Sequence, residues 1–289
     1  MKEKYIYHML RLLPGILLAA ALWSCTHEEL PDPAEEAGIP LTVQVTDAGF
    51  APGTPDNGGP STRMTEEGYK TIFTEGDTIG IYTCHGSLTA DYNIPFVLTY
   101  ENGKPVWKNP EGNPLRYNGK ASKYYAYYPY RQQPEFNAPS INSDDPDLFF
   151  LPLFKRWSIP ADQSTYEKYT AADLMVARGD FTTNPPREIT FTFAHRMTLL
   201  EIDLSGLSAP SAVRFNNFTP YQPDPVVPVY RYIIQQTPLS SIVGEVALKD
   251  PGLFYTAPNG EICDFQFTGA RDEANRGKCV SYKLKEGNR

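Results

Sequence analysis

The sequence predicts an all-β protein of two sandwich domains, and three observations carry that prediction. Apolar residues recur with a period of two in most apolar segments, as in Leu41-Thr42-Val43-Gln44-Val45 and Val280-Ser281-Tyr282-Lys283-Leu284. That spacing puts alternate side chains on one face of a strand. No window sustains a 3.6-residue apolar period for long. Aromatic residues make up 13% of the chain and prolines number 27, which favours short strands joined by turns over helices. At 289 residues the chain can bury one large core or two ordinary ones.

At the N-terminus, Lys2, Lys4 and Arg11 flank an apolar run from Leu12 to Trp23. As a helix that run rises about 18 Å, too little for a hydrocarbon core of about 30 Å. Residues 1–24 therefore read as a secretory signal. Leu22-Trp23-Ser24-Cys25 resembles a bacterial lipobox, in which the Cys25 thiol is acylated and the lipid anchors the mature chain to a bilayer. Residues 25–38 read as an acidic, proline-containing linker. Within it, Thr26-His27-Glu28-Glu29 resembles the acidic surface-export tag of Bacteroidetes lipoproteins. The net charge is −8, about −10 once the leader is removed. With no basic run, this argues against nucleic acid as a partner.

The first domain is expected over 39–186 and the second over 187–289, with the boundary near Asn184-Pro185-Pro186. A first strand lies in Ile39–Phe50, with Leu41, Val43 and Val45 on its apolar face. A long Gly/Pro loop follows. Ile79 and Ile81 mark the next strand, and Asn102-Gly103 between two apolar runs signals a hairpin. Lys123–Tyr130 reads as a tyrosine-rich strand ended at Pro129. Residues 131–165 read mostly as loop around one apolar island, Leu148–Phe154, with a short helical turn at Ala171-Ala172-Asp173. In Glu188–Leu204 the apolar phase slips near His195-Arg196, which suggests a bulge or two joined strands. Further strands are expected in 229–235, 242–249, 262–268 and 278–285.

Little in the chain points to catalysis. Beyond the linker only His85 and His195 remain, and no nucleophile elbow, zinc helix motif or phosphate loop is present. Cys84 and His85 are adjacent on a strand, so they point to opposite faces. His195 reads as a hydrogen-bonded structural histidine beside a bulge, out of phase with Phe191 and Phe193. Asn142–Asp147 reads as a solvated turn and not a calcium loop, since it lacks the glycine and terminal glutamate of an EF-hand. Arg178-Gly179-Asp180 matches an integrin-binding tripeptide but reads as ordinary turn chemistry. No metal or cofactor is expected. Cys263 and Cys279 lie on strands expected to be neighbours and could form a disulfide; the alternative is three buried thiols with Cys84.

Phe73-Thr74-Glu75-Gly76-Asp77-Thr78-Ile79-Gly80-Ile81-Tyr82 resembles the F-x-x-G-D-x-I-G-V/I-Y signature of the Bacteroidetes fimbrillin family. Trp107 after the Asn-Gly hairpin, Tyr124–Tyr130, Asp173–Ala177 and Phe193-Ala194-His195 follow in the family's order, over roughly residues 25–289. The resemblance implies two transthyretin-like β-sandwich domains with Greek-key-type connections. It implies a type V fimbrial subunit, in the stalk, at the tip or accessory, exported as a surface lipoprotein of the outer membrane. Such subunits are clipped by an arginine- or lysine-specific protease and polymerise with other subunits by strand exchange. Here Arg63 is the single basic residue between Leu30 and Glu67, and clipping there would free the strand carrying Leu41, Val43 and Val45. Few residues follow the strand carrying Val280, Tyr282 and Leu284, so either that strand is the C-terminal donor or this subunit does not donate. The other reading is a glycan-binding or adhesin lipoprotein that does not polymerise. It would contact a host or bacterial surface ligand through Tyr124–Tyr130.

Overall fold

A computed structural model describes residues 38–53, 69–86, 88–119, 122–132, 144–208, 211–236 and 251–285. The leader with Cys25, the linker, the loop with Arg63 and the strand expected at 242–249 lie outside them. Residues from Ile39 onward form one compact unit. Among the described residues it is all-β, with two short α-helices and a 3-10 turn at Glu273–Asn275.

The first sheet contains eight strands: β1 (Ile39–Asp47), β3 (Thr78–His85), β4 (Leu88–Glu101), β5 (Lys104–Lys108), β6 (Leu115–Tyr117), β7 (Ser122–Tyr128), β8 (Met175–Phe181) and β9 (Glu188–His195). Their order is β5-β4-β3-β7-β8-β9-β1-β6, and a pairing of Val43 with Trp107 brings β1 back to β5. The sheet therefore curls around its own core. Ile79, Ile81, Phe96, Leu98, Trp107, Ile189, Phe191 and Phe193 fill that core, with Leu41 and Val43 of β1. Asn102 and Gly103 turn β4 into β5 with φ of 52° and 75°, the left-handed pair that an Asn-Gly hairpin supplies.

A second lobe stacks two sheets. One is β12 (Val229–Ile234), β10 (Thr198–Gly206), β15 (Lys278–Lys285) and β2 (Ala51–Pro52), in that order; the other is β11 (Ser211–Phe215), β13 (Gly252–Thr256) and β14 (Ile262–Gln266). Leu200, Ile202, Leu204, Val280, Tyr282 and Leu284 face Leu253, Tyr255 and Phe265 across the layer.

A third apolar layer joins the lobes. Helix α1 (Pro146–Arg156) starts at an Asp145 cap, whose carboxylate accepts from the Asp147 amide, with Pro146 in its first turn. Its residues Phe149, Phe150, Leu153 and Phe154 recur at helical spacing and are all buried. They cover Tyr82, Tyr125, Tyr127 and Val176 on the outer face of the first sheet. Helix α2 (Tyr166–Ala172) is capped by Thr165 and adds Tyr169 and Ala172 to the same layer. Leu199, Ile233 and Cys279 close it from the second lobe.

Four expectations are corrected. The boundary does not fall at 186/187: β9 hydrogen-bonds to β8 and β1, so the change of sheet comes after His195, and β2 places residues 51–52 in the second lobe. The apolar island in 131–165 is a helix, not a loop. Arg178-Gly179-Asp180 is mid-strand in β8, with Arg178 paired to Asp144 at 3.2 Å, not a turn. Cys263 and Cys279 are free thiols. Their strands belong to different sheets; Cys263 packs on the second-lobe core, while Cys279 points through β15 to the opposite face.

Candidate functional site: the seat of the first segment

Residues 39–53 cross both lobes. β1 runs parallel to β9, with Val43 opposite Ile189, Val45 opposite Phe191 and Asp47 opposite Phe193. Its start runs antiparallel to β6, with Leu41 opposite Leu115. On the outer face, Gln44 donates to Glu188 at 3.2 Å and Thr46 to Thr192 at 3.1 Å. On the inner face Leu41 and Val43 are 6% and 3% exposed, and Val45 is half-buried. Burying these three contributes on the order of 5 kcal/mol. The register is unambiguous because a one-residue slip would turn the apolar set outward.

Asp47 is the fourth inward position of that alternation, and its side chain is 3% exposed. A carboxylate there needs partners. Its Oδ1 accepts from the Gly49 amide at 2.8 Å, and its Oδ2 accepts from the Thr71 amide. His195 Nε2 lies 3.0 Å from Asp47 Oδ1, close enough to pair charges although off the hydrogen-bond line. His195 Nδ1 donates to Asp173 Oδ2 at 2.6 Å. Phe50 stacks on the imidazole, with centroids 3.7 Å apart and planes at 21°. Burial disfavours the charged ring, but Asp173 and Asp47 outweigh it and hold the His195 pKa at about 9. Burial alone would raise the Asp47 pKa; the bond and charge of His195, with the two amides, bring it below the ordinary carboxylate value. Both imidazole nitrogens lie beside a carboxylate, Nδ1 bonded to Asp173 and Nε2 within ion-pair distance of Asp47. The trio acts as an ionic clasp on the end of β1.

Beyond Phe50, the chain hooks onto the second lobe. β2 pairs parallel to β15, Ala51 with Lys278 and Pro52 with Cys279. The Ala51 amide donates to Gly277 O at 2.9 Å and the Gly53 amide to Cys279 O at 2.7 Å.

The structure thus places Leu41, Val43 and Val45 as expected, in an apolar ladder against β9. It places Val280, Tyr282 and Leu284 deep in the second-lobe core, at 0%, 5% and 2% exposure, on a strand between β10 and β2. That strand is part of the body of its own lobe. The tyrosine platform is overturned: Tyr124 and Tyr128 face the first core, Tyr125 and Tyr127 lie under α1, and Tyr125 stacks on Phe149 at 4.1 Å. His195 is in phase with Ile189, Phe191 and Phe193, inward and buried, and the phase slip that follows marks two strands of different sheets. The sequence reading gave neither Asp47 nor Asp173 a role as a partner of His195. Asp47 could have been found, since it continues the inward series 41, 43, 45.

This architecture defines a β-sheet protein whose first segment runs as a strap across two lobes. The family model described as fimbrillin-like matches residues 62–219, and the chain belongs to that family. A Bacteroides ovatus protein named as fimbrium tip subunit Fim1C is 29% identical over 208 residues, covering 70% of this chain and 35% of that protein. The chain thus spans about a third of the length of that relative. A crystal structure of a fimbrial protein from Bacteroides ovatus has the same fold, with a TM-score of 0.62 at 22% identity over 86% of this chain and 49% of the other. A Bacteroides uniformis protein described as a cell adhesion protein matches at TM-score 0.46 and 15% identity, over 75% of this chain and 89% of the other.

Proposed function

We propose that the chain is a structural, non-enzymatic subunit of a cell-surface fimbrium that joins other fimbrial subunits by strand exchange. The observation that carries this reading is the seat of β1. The strand lies between β9 on one side and β6 and β5 on the other, and its apolar face closes the first core. Arg63 stands in the connection between β2 and Tyr69. Cleavage there would sever residues 39–63 from the body and leave the clasp, the ladder, the hook and the packing of Phe50 to hold its described residues. Once the segment leaves, the groove has an apolar floor and unpaired backbone groups on both flanks, which a neighbour's strand can satisfy. Before cleavage the segment keeps the subunit monomeric. β15 stays in the body throughout.

In this reading Cys25 carries the lipid that holds the precursor at the outer membrane. Cys25→Ala should abolish palmitate incorporation, and labelling that persists would overturn the anchor. Assembly is tested by trimming the purified chain after Arg63 with an arginine-specific protease and following mass by light scattering, alone and with candidate partner subunits. Species larger than the monomer are expected only after trimming, and Arg63→Ala should block both events in a folded monomer. A first segment that stays bound after cleavage, or leaves with no strand accepted, would sink strand exchange.

A further inference from the structure

We propose that a tyrosine-walled pocket beside the clasp binds a neutral hexopyranose unit of a glycan. The pocket has a volume of about 150 Å³, room for about five waters or one six-membered sugar ring. Tyr166, Tyr169 and Tyr221 form its wall, with Tyr169 and Tyr221 stacked at 5.3 Å and Tyr166 and Tyr221 at 5.8 Å. Its rim is open to solvent at Ile72 and Tyr166, which are 72% and 39% exposed.

Three observations select the ligand class. Asp173 lines the pocket, its side chain is 6% exposed, and its Oδ1 is buried without a hydrogen-bond partner. An unpartnered carboxylate oxygen just behind the pocket wall favours a guest that brings hydroxyl donors to that wall. The tyrosine rings offer flat apolar faces suited to the C–H face of a pyranose. Lys70 also lines the pocket, so the cations His195, Arg231 and Lys70 stand against the anions Asp47, Asp173 and Glu201, with Arg231 3.2 Å from Glu201, and the balanced charge favours an uncharged guest. Hydroxyls together with an apolar face and no net charge describe a neutral sugar. Phe50 also lines the pocket, so the site is complete in the unclipped chain and does not depend on assembly.

The test uses saturation-transfer difference NMR on the intact monomer, with the methyl glycosides of glucose, galactose and mannose and free N-acetylglucosamine as separate probes. At least one should receive saturation and titrate. Tyr166→Ala should weaken that binding about tenfold, while Tyr166→Phe, which keeps the ring and loses the hydroxyl contact to the Ile72 backbone, should retain it. Tyr100→Ala, at a 49% exposed tyrosine of β4, should leave it unchanged. The proposal is overturned if no probe binds, if Tyr100→Ala weakens binding as much as Tyr166→Ala, or if Tyr166→Ala binds normally. Binding of N-acetyltyrosinamide in place of every sugar would also overturn it, by assigning the pocket to an aromatic peptide side chain.

Discussion

His195 is ionised where burial alone would leave it neutral. Its pKa in the fold, about 9, lies above its ordinary value of 6.5. Its contribution is therefore fully present below about pH 6.5 and is lost as pH rises through about 9. A gap of that size corresponds to on the order of 3 kcal/mol. Asp47 has the opposite sign: its pKa is lowered from 3.8, so its contribution is present above that value and fades as pH falls through the lowered one. Urea unfolding across the alkaline range should show stability declining from pH 6.5 to beyond 9. His195→Gln should be less stable at neutral pH and should flatten that decline. An equally steep decline in the variant would assign the effect elsewhere. The same clasp explains a misreading at this scale. Counting from Ile189, every second residue is inward and His195 completes the series; Asp47 does the same from Leu41. A polar residue in an inward phase is a request for a partner, and the charged partners of Asp47 and His195 come from other strands and loops.

At the scale of elements, β2 is the shortest strand among the described residues. It is two residues long, and it depends on how closely Gly53 approaches β15. A Cβ at position 53 would lie 2.7 Å from Cys279 O and 2.8 Å from Val280 Cγ2. The carbonyl is main chain and accepts from the Gly53 amide at 2.7 Å, so it cannot yield without loosening the hook itself. Gly53→Ala should therefore cost about 1–3 kcal/mol and loosen the hook while sparing β1. Hydrogen exchange should quicken at the Ala51 amide and stay unchanged at Thr42, whose amide donates to Arg187 O at 2.9 Å. Equal exchange at both sites in wild type and variant would show that the close contact is not limiting. Strands built on strict alternation, such as β1, β9 and β15, were legible from sequence because the period of two survives any tertiary context. Helix α1 was hidden by Pro152 inside it and by an apolar run that looks continuous. Its signals were nonetheless present: Asp145-Pro146-Asp147 at the start, Lys155-Arg156 at the end, and phenylalanine and leucine at 149, 150, 153 and 154. β2 had no signal, since two residues have no period and the contact that creates it is with the last described strand.

For the whole molecule, the two lobes share a middle layer of aromatic and aliphatic side chains, with α1 and α2 filling the space between the sheets. A cut at a single point in sequence cannot separate them, because residues 39–53 belong to both. The expected boundary failed for that reason: Asn184-Pro185-Pro186 looks like a linker, but it joins two neighbouring strands of one sheet. The fimbrillin-like family was legible from the order of short motifs, most of which prove to be core strands. The clasp and the tyrosine pocket were not, because both are assembled from segments more than a hundred residues apart.

The strap has a stoichiometric consequence. β1 measures nine residues, about 30 Å of extended chain, and it turns directly into the hook on β15. A guest strand that copies only the ladder would repair the first lobe and leave one margin of the second lobe bare beside β15. A guest that carries a further corner and two more residues would heal both at once. Under the proposed strand exchange, the length of the incoming segment would therefore set the valence of the clipped molecule: a long guest would close it, whereas a short one would leave a second socket for another chain.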